Sequence, residues 1–281
     1  MTSLNAFSLI LTTGASIGLV RIALASRPSQ RTVWLLAGLL TLAAGLIGAR
    51  LGYVLLHLNY FSKHILESFA FWRGGLTWEG ALGGALLSLL LAKKIWQWSY
   101  FSLLDRLSLL LLPVGVAGWL ACWQSGAAYG QTLPVDAWWG MQAVDETGLA
   151  ALRTPLQPLG AISLLVFMGF TELVILQNKT VGWMGSLACL VFSADMLLLS
   201  FLRAEPVQRW LGLRPDSWAG ILFTLAGTAA VLFILYREGQ IKINIDYKKL
   251  WQTVVDFCKR IIEKIKKLRK PHEVKAGTGT D

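Results

Sequence analysis

Arg50 and Glu79 each stand among small residues inside otherwise apolar stretches. Around the arginine the chain reads Gly48-Ala49-Arg50-Leu51-Gly52-Tyr53-Val54. Around the glutamate it reads Phe71-Trp72-Arg73-Gly74-Gly75-Leu76-Thr77-Trp78-Glu79-Gly80-Ala81-Leu82-Gly83-Gly84. A guanidinium presents a planar fork that takes a phosphate or carboxylate bidentately. A carboxylate pushed toward neutrality by burial can act as a general base. Tyr53 adds a hydroxyl donor three residues from the arginine. Small residues let a second helix come close, which turns both charges inward. The spacing therefore predicts a polar chamber able to hold an anion beside a base; a plain ion pair locking two helices is the alternative.

Other charges fall at membrane depth, where each one costs roughly 2.5–3.5 kcal/mol on insertion scales. They are Asp105, Arg106, Glu172 and Asp195. Asp105 and Arg106 sit near a helix start, where the interface can solvate them. Glu172 and Asp195 lie deeper in two successive helices. A structural reading has them bonded to arginine or to Ser/Thr groups; a functional one has them lining a polar path. Cys122, Cys189 and Cys258 show no metal-binding or redox spacing, and at most one disulfide can form from three thiols. No cofactor or metal is expected.

Such residues need a scaffold of membrane spans, and the composition supplies it. The chain has 281 residues, 55% of them hydrophobic and only 15% charged, where ordinary globular proteins carry roughly 25% charged residues. Mean hydropathy is +0.55. These figures exclude a disordered chain, a coiled coil, a soluble enzyme and a disulfide-stapled secreted domain. A spanning helix takes about 20 apolar residues. Seven candidates run near Phe7–Ala25, Val33–His57, Gly80–Ala92, Leu103–Trp119, Leu156–Leu176, Val181–Leu202 and Ser217–Tyr236. The fold class is an all-α integral membrane protein of about seven transmembrane helices. The third candidate is short, so it is expected to begin inside a segment dipping into the bilayer at the glycine pair 74–75. The first lacks a basic start and a cleavage site, and reads as a retained helix rather than a signal peptide.

Lys and Arg placement orients the chain. Arg27, Arg31, Lys93, Lys94 and Lys179 lie in alternate connections, and the stretch from Arg237 to Asp281 holds twelve Lys/Arg against six Asp/Glu. That side is read as cytoplasmic, giving an outside N-terminus and a cytoplasmic C-terminus. Residues 1–236 form the expected transmembrane domain and 237–281 a basic cytoplasmic tail. In the tail Leu250, Trp251, Val254, Val255, Cys258, Ile261, Ile262, Ile265 and Leu268 fall on one helical stripe. An amphipathic helix at the lipid interface is expected there, with packing on the protein's own cytoplasmic face as the alternative. Anionic lipid, not nucleic acid, is the expected partner of its charge.

At these residues the sequence resembles the prolipoprotein diacylglyceryl transferase family over roughly Val33 to Tyr236. Gly48–Tyr53 looks like that family's Gly-Arg-x-Gly-Tyr segment. Trp72–Gly84 looks like its Trp-x-Gly-Gly-x-x-x-His-Gly-Gly-x-x-Gly segment, with Glu79 in place of the histidine. Gly118–Gly130 lies where the family carries Gly-Arg-x-Gly-Asn-Phe-x-Asn-x-Glu-x-x-Gly. There the arginine falls at Trp119, the asparagines at Cys122 and Ser125, and the glutamate at Ala127. Arg153-Thr154-Pro155-Leu156-Gln157 resembles Arg-His-Pro-x-Gln, and the tyrosine that follows is lost at Leu159. Aligned on Phe201 and Arg203, a later arginine and glutamate of the family fall at Met196 and Ser200.

The resemblance implies a multi-pass protein of the bacterial plasma (inner) membrane. The family's enzymes transfer diacylglyceryl from phosphatidylglycerol to the lipobox cysteine thiol of a prolipoprotein. Carried over, Arg50 holds phosphate and Glu79 takes the thiol proton. Tyr53 donates to an oxygen, and Arg153, Gln157 and Arg203 steer the headgroup. Implied partners are phosphatidylglycerol or another anionic phospholipid and a prolipoprotein signal peptide. The alternative is a catalytically silent relative that binds phospholipid or signal-peptide helices.

Overall fold

A computed structural model describes residues 2–71, 74–144, 148–175 and 180–238. Residues 1–237 pack as one unit; the tail stripe expected between Tyr247 and Lys270 lies outside the described residues. The elements are α1 (Thr2–Ala25), α2 (Arg31–Leu56), α3 (Leu58–Phe61), α4 (Trp78–Trp96), α5 (Tyr100–Leu107), α6 (Leu111–Ser125), β1 (Met141–Val144), β2 (Ala150–Arg153), α7 (Leu156–Ile175), α8 (Trp183–Ser200) and α9 (Pro215–Arg237).

Among the described residues, six stretches are long and apolar enough to cross a membrane: Ala6–Ala25, Pro28–Leu56, Tyr100–Ser125, Leu156–Leu173, Trp183–Ser200 and Pro215–Arg237. The protein is therefore an all-α integral membrane protein. The seventh expected crossing lies within α4, which is 19 residues long but carries Glu79 in its first turn and Lys93 and Lys94 in its last. Acid at the N-terminus and base at the C-terminus both suit the helix dipole.

Tyr100–Ser125 is not a continuous α-helix. A 3₁₀ turn at Ser108–Leu110 joins α5 to α6. Pro113 explains the break, because it has no N–H for the carbonyl of Leu109 four residues earlier. The Arg21 guanidinium of α1 takes that carbonyl instead, at 3.0 Å. The same guanidinium bonds Glu172 of α7 at 2.5 Å. In a bilayer every backbone polar group needs an internal partner, and here a side chain supplies one.

Glycines set the tightest helix contacts. A Cβ added at Gly48 would collide with the Gly80 carbonyl, and one at Gly84 with the Ala44 carbonyl, so α2 and α4 meet backbone to backbone. A Cβ at Gly220 or Gly227 would lie 2.9 Å from Leu197 or Leu190, which ties α9 to α8. Asp105 of α5 caps α8 from a distance, accepting from the backbone N–H of Gly182 at 2.5 Å and of Gly185 at 2.7 Å. One apolar core gathers Leu82, Trp119, Leu156, Leu164, Met168, Phe192 and Met196. A second gathers Ile22, Trp34, Leu89, Leu103, Leu104 and Leu107.

The connection between α6 and α7 is not a plain loop. β1 and β2 form an antiparallel hairpin, Met141 opposite Arg153 and Val144 opposite Ala150. Isolated bridges extend it: Thr132 pairs with Arg153, and Gly130 pairs with Arg203 from the α8–α9 connection. The two connections are thus stitched into one cap at the end of the bundle where α4, α7 and α9 begin.

Candidate functional site

Three groups of side chains lie toward that end of the bundle. The first surrounds Arg50, in the last turns of α2. Its side chain turns inward and the residue is 4% exposed. Nε donates to the carbonyl of Ser68 at 2.9 Å, and one terminal nitrogen to that of Glu67 at 2.6 Å. The other terminal nitrogen donates to Gly74 at 2.6 Å and Gly75 at 3.3 Å. A guanidinium has five N–H groups, so these four bonds to its own chain leave one. The rings of Tyr53 and Phe61 lie 5.6 and 5.4 Å from the guanidinium carbon, within cation–π range.

Gly74 and Gly75 both have positive φ, 81° and 70°. That conformation points two successive carbonyls at one fork. A Cβ at Gly75 would stand 2.5 Å from the Tyr53 ring and 2.8 Å from Arg50. The sequence expectation of a bent segment here therefore has a geometric reason, and the bend is built around the arginine.

The second group is Glu79. Thr77 caps α4 by accepting from the Gly80 N–H at 3.4 Å, and its own N–H donates to the Ala49 carbonyl at 3.1 Å. Glu79 therefore sits in the first turn of α4, two residues past a bond to Arg50's helix. Among the described residues it makes no ion pair with Arg50 or any other cation. Its carboxylate lies half-buried, in the field of Asp216, Arg203 and Arg214.

The third group holds the remaining arginines. Arg203 bonds Glu205 through Nε, at 3.1 Å, and through a terminal nitrogen. Its other terminal nitrogen bonds Asp216 at 3.0 Å. Arg214 bonds Asp216 at 3.0 Å and the Glu205 carbonyl at 2.7 Å. Burial works against the charge of Arg203, but Glu205 and Asp216 outweigh it and raise its pKa. Glu205 also accepts from the Ala128 N–H at 2.5 Å. Arg153 lies buried at the end of β2 with its guanidinium 4.6 Å from the Tyr129 ring. Gln157 is buried and donates to the Ala127 carbonyl at 2.9 Å.

The structure thus joins Arg50 to Tyr53, and Arg153, Gln157 and Arg203 to one strand-like segment, residues 127–132. Glu79 stands in the electrostatic range of the second set. Arg214 and the acids Glu205 and Asp216 were not singled out as site residues from the sequence. Their signal was present, since both acids lie within two residues of an arginine; it reads as charge offset until the fold brings both pairs together.

Comparison with known proteins adds the decisive observation. The sequence model of prolipoprotein diacylglyceryl transferase matches residues 1–234. The chain belongs to that family. A phosphatidylglycerol–prolipoprotein diacylglyceryl transferase from Bordetella avium is 30% identical over 201 residues, covering 67% of this chain and 72% of that protein. Proteins of the same name from Nitrosomonas europaea and Fervidobacterium nodosum are 27% and 26% identical, over 68% and 71% of this chain and 69% and 70% of theirs.

Within the transferase family the departures of this chain gain a location. Trp119 and Met196, which the sequence resemblance sets against two arginines of the family, both belong to the first apolar core. The Trp119 indole lies flat against Gly160, where any Cβ would strike its ring. Its N–H is buried with no hydrogen-bond partner among the described residues. Next to Met196, Asp195 is buried and accepts from the Ser163 hydroxyl at 3.1 Å. Grooves of about 510 Å³ along the outer face of α1 and about 300 Å³ at Lys93, Lys94 and Gln97 are lined by neither Arg50 nor Glu79.

Proposed function

We propose that this member of the prolipoprotein diacylglyceryl transferase family moves a diacylglyceryl group from phosphatidylglycerol, or another anionic phospholipid, onto a prolipoprotein signal-peptide cysteine. The setting is the bacterial plasma membrane. The observation that carries this reading is Glu79. It replaces a histidine of the family motif with another proton acceptor, in the first turn of α4, free of any ion pair among the described residues. In the proposed step Glu79 accepts the thiol proton and the sulfur forms a bond to the glyceryl carbon. The carbon–oxygen bond to phosphate breaks, and glycerol phosphate leaves with the electron pair. The leaving phosphate is anionic, so donors aimed at it lower the barrier.

Arg50 enters this proposal with a narrower role than a free fork would have. With four N–H groups on its own loop it shapes the Gly74–Gly75 bend and offers one N–H to an anion, alongside the Tyr53 hydroxyl. Arg153 and Gln157 border the same cap, where the charge of Arg203 is balanced by Glu205 and Asp216. A second reading is favoured by one observation: Trp119 and Met196 place apolar bulk where the family aligns two cations. That reading is a relative that binds phospholipid or a signal-peptide helix without transfer.

Complementation separates them. The chain is expressed in cells depleted of their own transferase, and lipoprotein mass is read. A diacylglyceryl mass increase that Glu79→Gln abolishes supports the transferase. No increase, with phosphatidylglycerol still co-purifying, supports the silent relative. Neither modification nor lipid retention defeats both.

A further inference from the structure

The cap ends in two rigid tips that carry apolar side chains into the open. One is the turn before β1. Val135 is 98% exposed and Trp138 is 92% exposed. The turn is not slack: the N–H of Ala137 bonds Pro134 and that of Gly140 bonds Ala137, both at 3.1 Å. The N–H of Leu133 bonds Leu152 of β2 at 2.8 Å. The other tip is a two-residue hairpin closed by Trp210 and Leu213, whose backbones exchange bonds of 2.8 and 3.1 Å. Its central residues, Leu211 and Gly212, have φ of 50° and 82°. Glycine or asparagine normally fills both such positions. A leucine there is in a conformation unfavourable for its side chain, and it is 92% exposed. Neither folding nor turn chemistry accounts for a leucine at that point.

We propose that these two tips are seated in the headgroup layer of the membrane leaflet at this end of the bundle, with Trp138 and Leu211 inserted. Lipid is the occupant because the second tip directly precedes α9, a span that itself exposes Leu222, Leu225, Leu232 and Phe233. The Trp218 indole, in the first turn of α9, donates to the Trp210 carbonyl at 2.8 Å, so the hairpin is fastened to the start of a spanning helix. Leu211 stands four residues before Pro215, and chain length alone keeps it within about 14 Å of that helix end. The interfacial layer on each side of a bilayer is about 5–8 Å deep and is the region where tryptophan concentrates. The first tip follows through the Gly130–Arg203 bridge. The seat would hold the cap against the leaflet whether or not transfer occurs, so this inference stands apart from the proposed reaction.

Spin labels test it in nanodiscs of phosphatidylethanolamine and phosphatidylglycerol. Labels are placed at Trp138→Cys and Leu211→Cys, with Asp136→Cys and Gln208→Cys as controls on the same loops. The background has Cys122, Cys189 and Cys258 replaced by alanine. Collision rates with oxygen, which enriches in lipid, are compared with those of a water-soluble nickel complex. Labels at 138 and 211 are expected to show a several-fold higher oxygen-to-nickel ratio than the controls. Equal ratios overturn the proposal. A raised ratio that appears only when a lipobox peptide is added also overturns it, since the occupant is then the peptide. A raised ratio seen only with two copies per disc points to a second copy and overturns it likewise. Should the cysteine-free background not fold, brominated lipid is used on the unsubstituted chain, Trp138→Phe and Trp210→Phe. Less quenchable emission in the variants supports the seat, and unchanged quenching overturns it.

Discussion

At the scale of single residues the arginine at 50 is the test case. Its four carbonyl partners come from residues 17 to 25 positions downstream. Hydrogen bonds that involve a charged group contribute about 1.5–3 kcal/mol each, and a buried charge stripped of partners is strongly destabilising. Lysine keeps the charge but has a point-like head in place of the planar fork, so it cannot satisfy carbonyls spread over that arc. Arg50→Lys is therefore expected to lower stability by about 3 kcal/mol, read as a clear drop in melting temperature in detergent. An unchanged melting temperature would mean that the loop does not depend on the fork. The sequence placed this arginine inward, because Gly48, Ala49 and Gly52 surround it. It did not show what the fork holds. Carbonyl direction depends on the positive φ of Gly74 and Gly75, and the glycine pair alone signals a bend without saying toward what. Glu79 was legible as a carboxylate at a helix start, but the influence of Asp216, Arg203 and Arg214 on it comes from the packing of the fold.

At the scale of elements the spans were readable because apolar length is a local property. The break between α5 and α6 was not, although its cause is one residue. Pro113 frees the carbonyl of Leu109, and the donor that answers it lies 88 residues away in sequence, on α1. The same Arg21 meets Glu172, so three separate helical segments share one guanidinium. From the sequence Glu172 could be assigned only to arginine or hydroxyl partners in general. Arg21→Met preserves the length and apolar packing of the side chain while removing both bonds. It leaves a carbonyl and a carboxylate short of partners in a setting with little water. The expected loss is about 2–4 kcal/mol. The double change Arg21→Met with Glu172→Gln should recover part of that loss, because the orphaned charge is gone. Thermal unfolding in lipid discs reads both. No recovery in the double variant would show that the guanidinium acts through Leu109 rather than through the ion pair. The hairpin between α6 and α7 was missed for a related reason: two strands of four residues, extended only by isolated bridges at Thr132 and Gly130, carry no period long enough to read.

At the scale of the whole molecule the orientation of the bundle is a matter of charge balance between its two ends. By sequence, the connections on one side hold Arg27, Arg31, Lys93, Lys94, Lys179 and, just past the last span, Arg237. Those on the other hold Lys63, Arg73, Arg153, Arg203, Arg209 and Arg214. The two sets are equal in number, so the short connections by themselves give no preference. Glu205 and Asp216 pair with Arg203 and Arg214 in the folded cap, yet acidic residues weigh little while a chain is being inserted. Residues 239–281 add eleven Lys/Arg directly after a span, within the range where basic residues retain a segment on the cytoplasmic side. This predicts that the basic segment sets the direction of the bundle. A reporter active only after export is expected to be active when inserted at Asp136 and inactive when fused after Asp281. Truncation after Glu238 should give a mixed population, with activity at Asp136 falling and activity at the new C-terminus appearing. Replacing the eleven basic residues by glutamine in the full-length chain should act as the truncation does, which separates charge from length. If the truncated and neutralised chains keep the full export signal at Asp136, the first helix rather than the basic segment directs insertion, and the equality of the two loop sets has no bearing on how the chain enters the membrane.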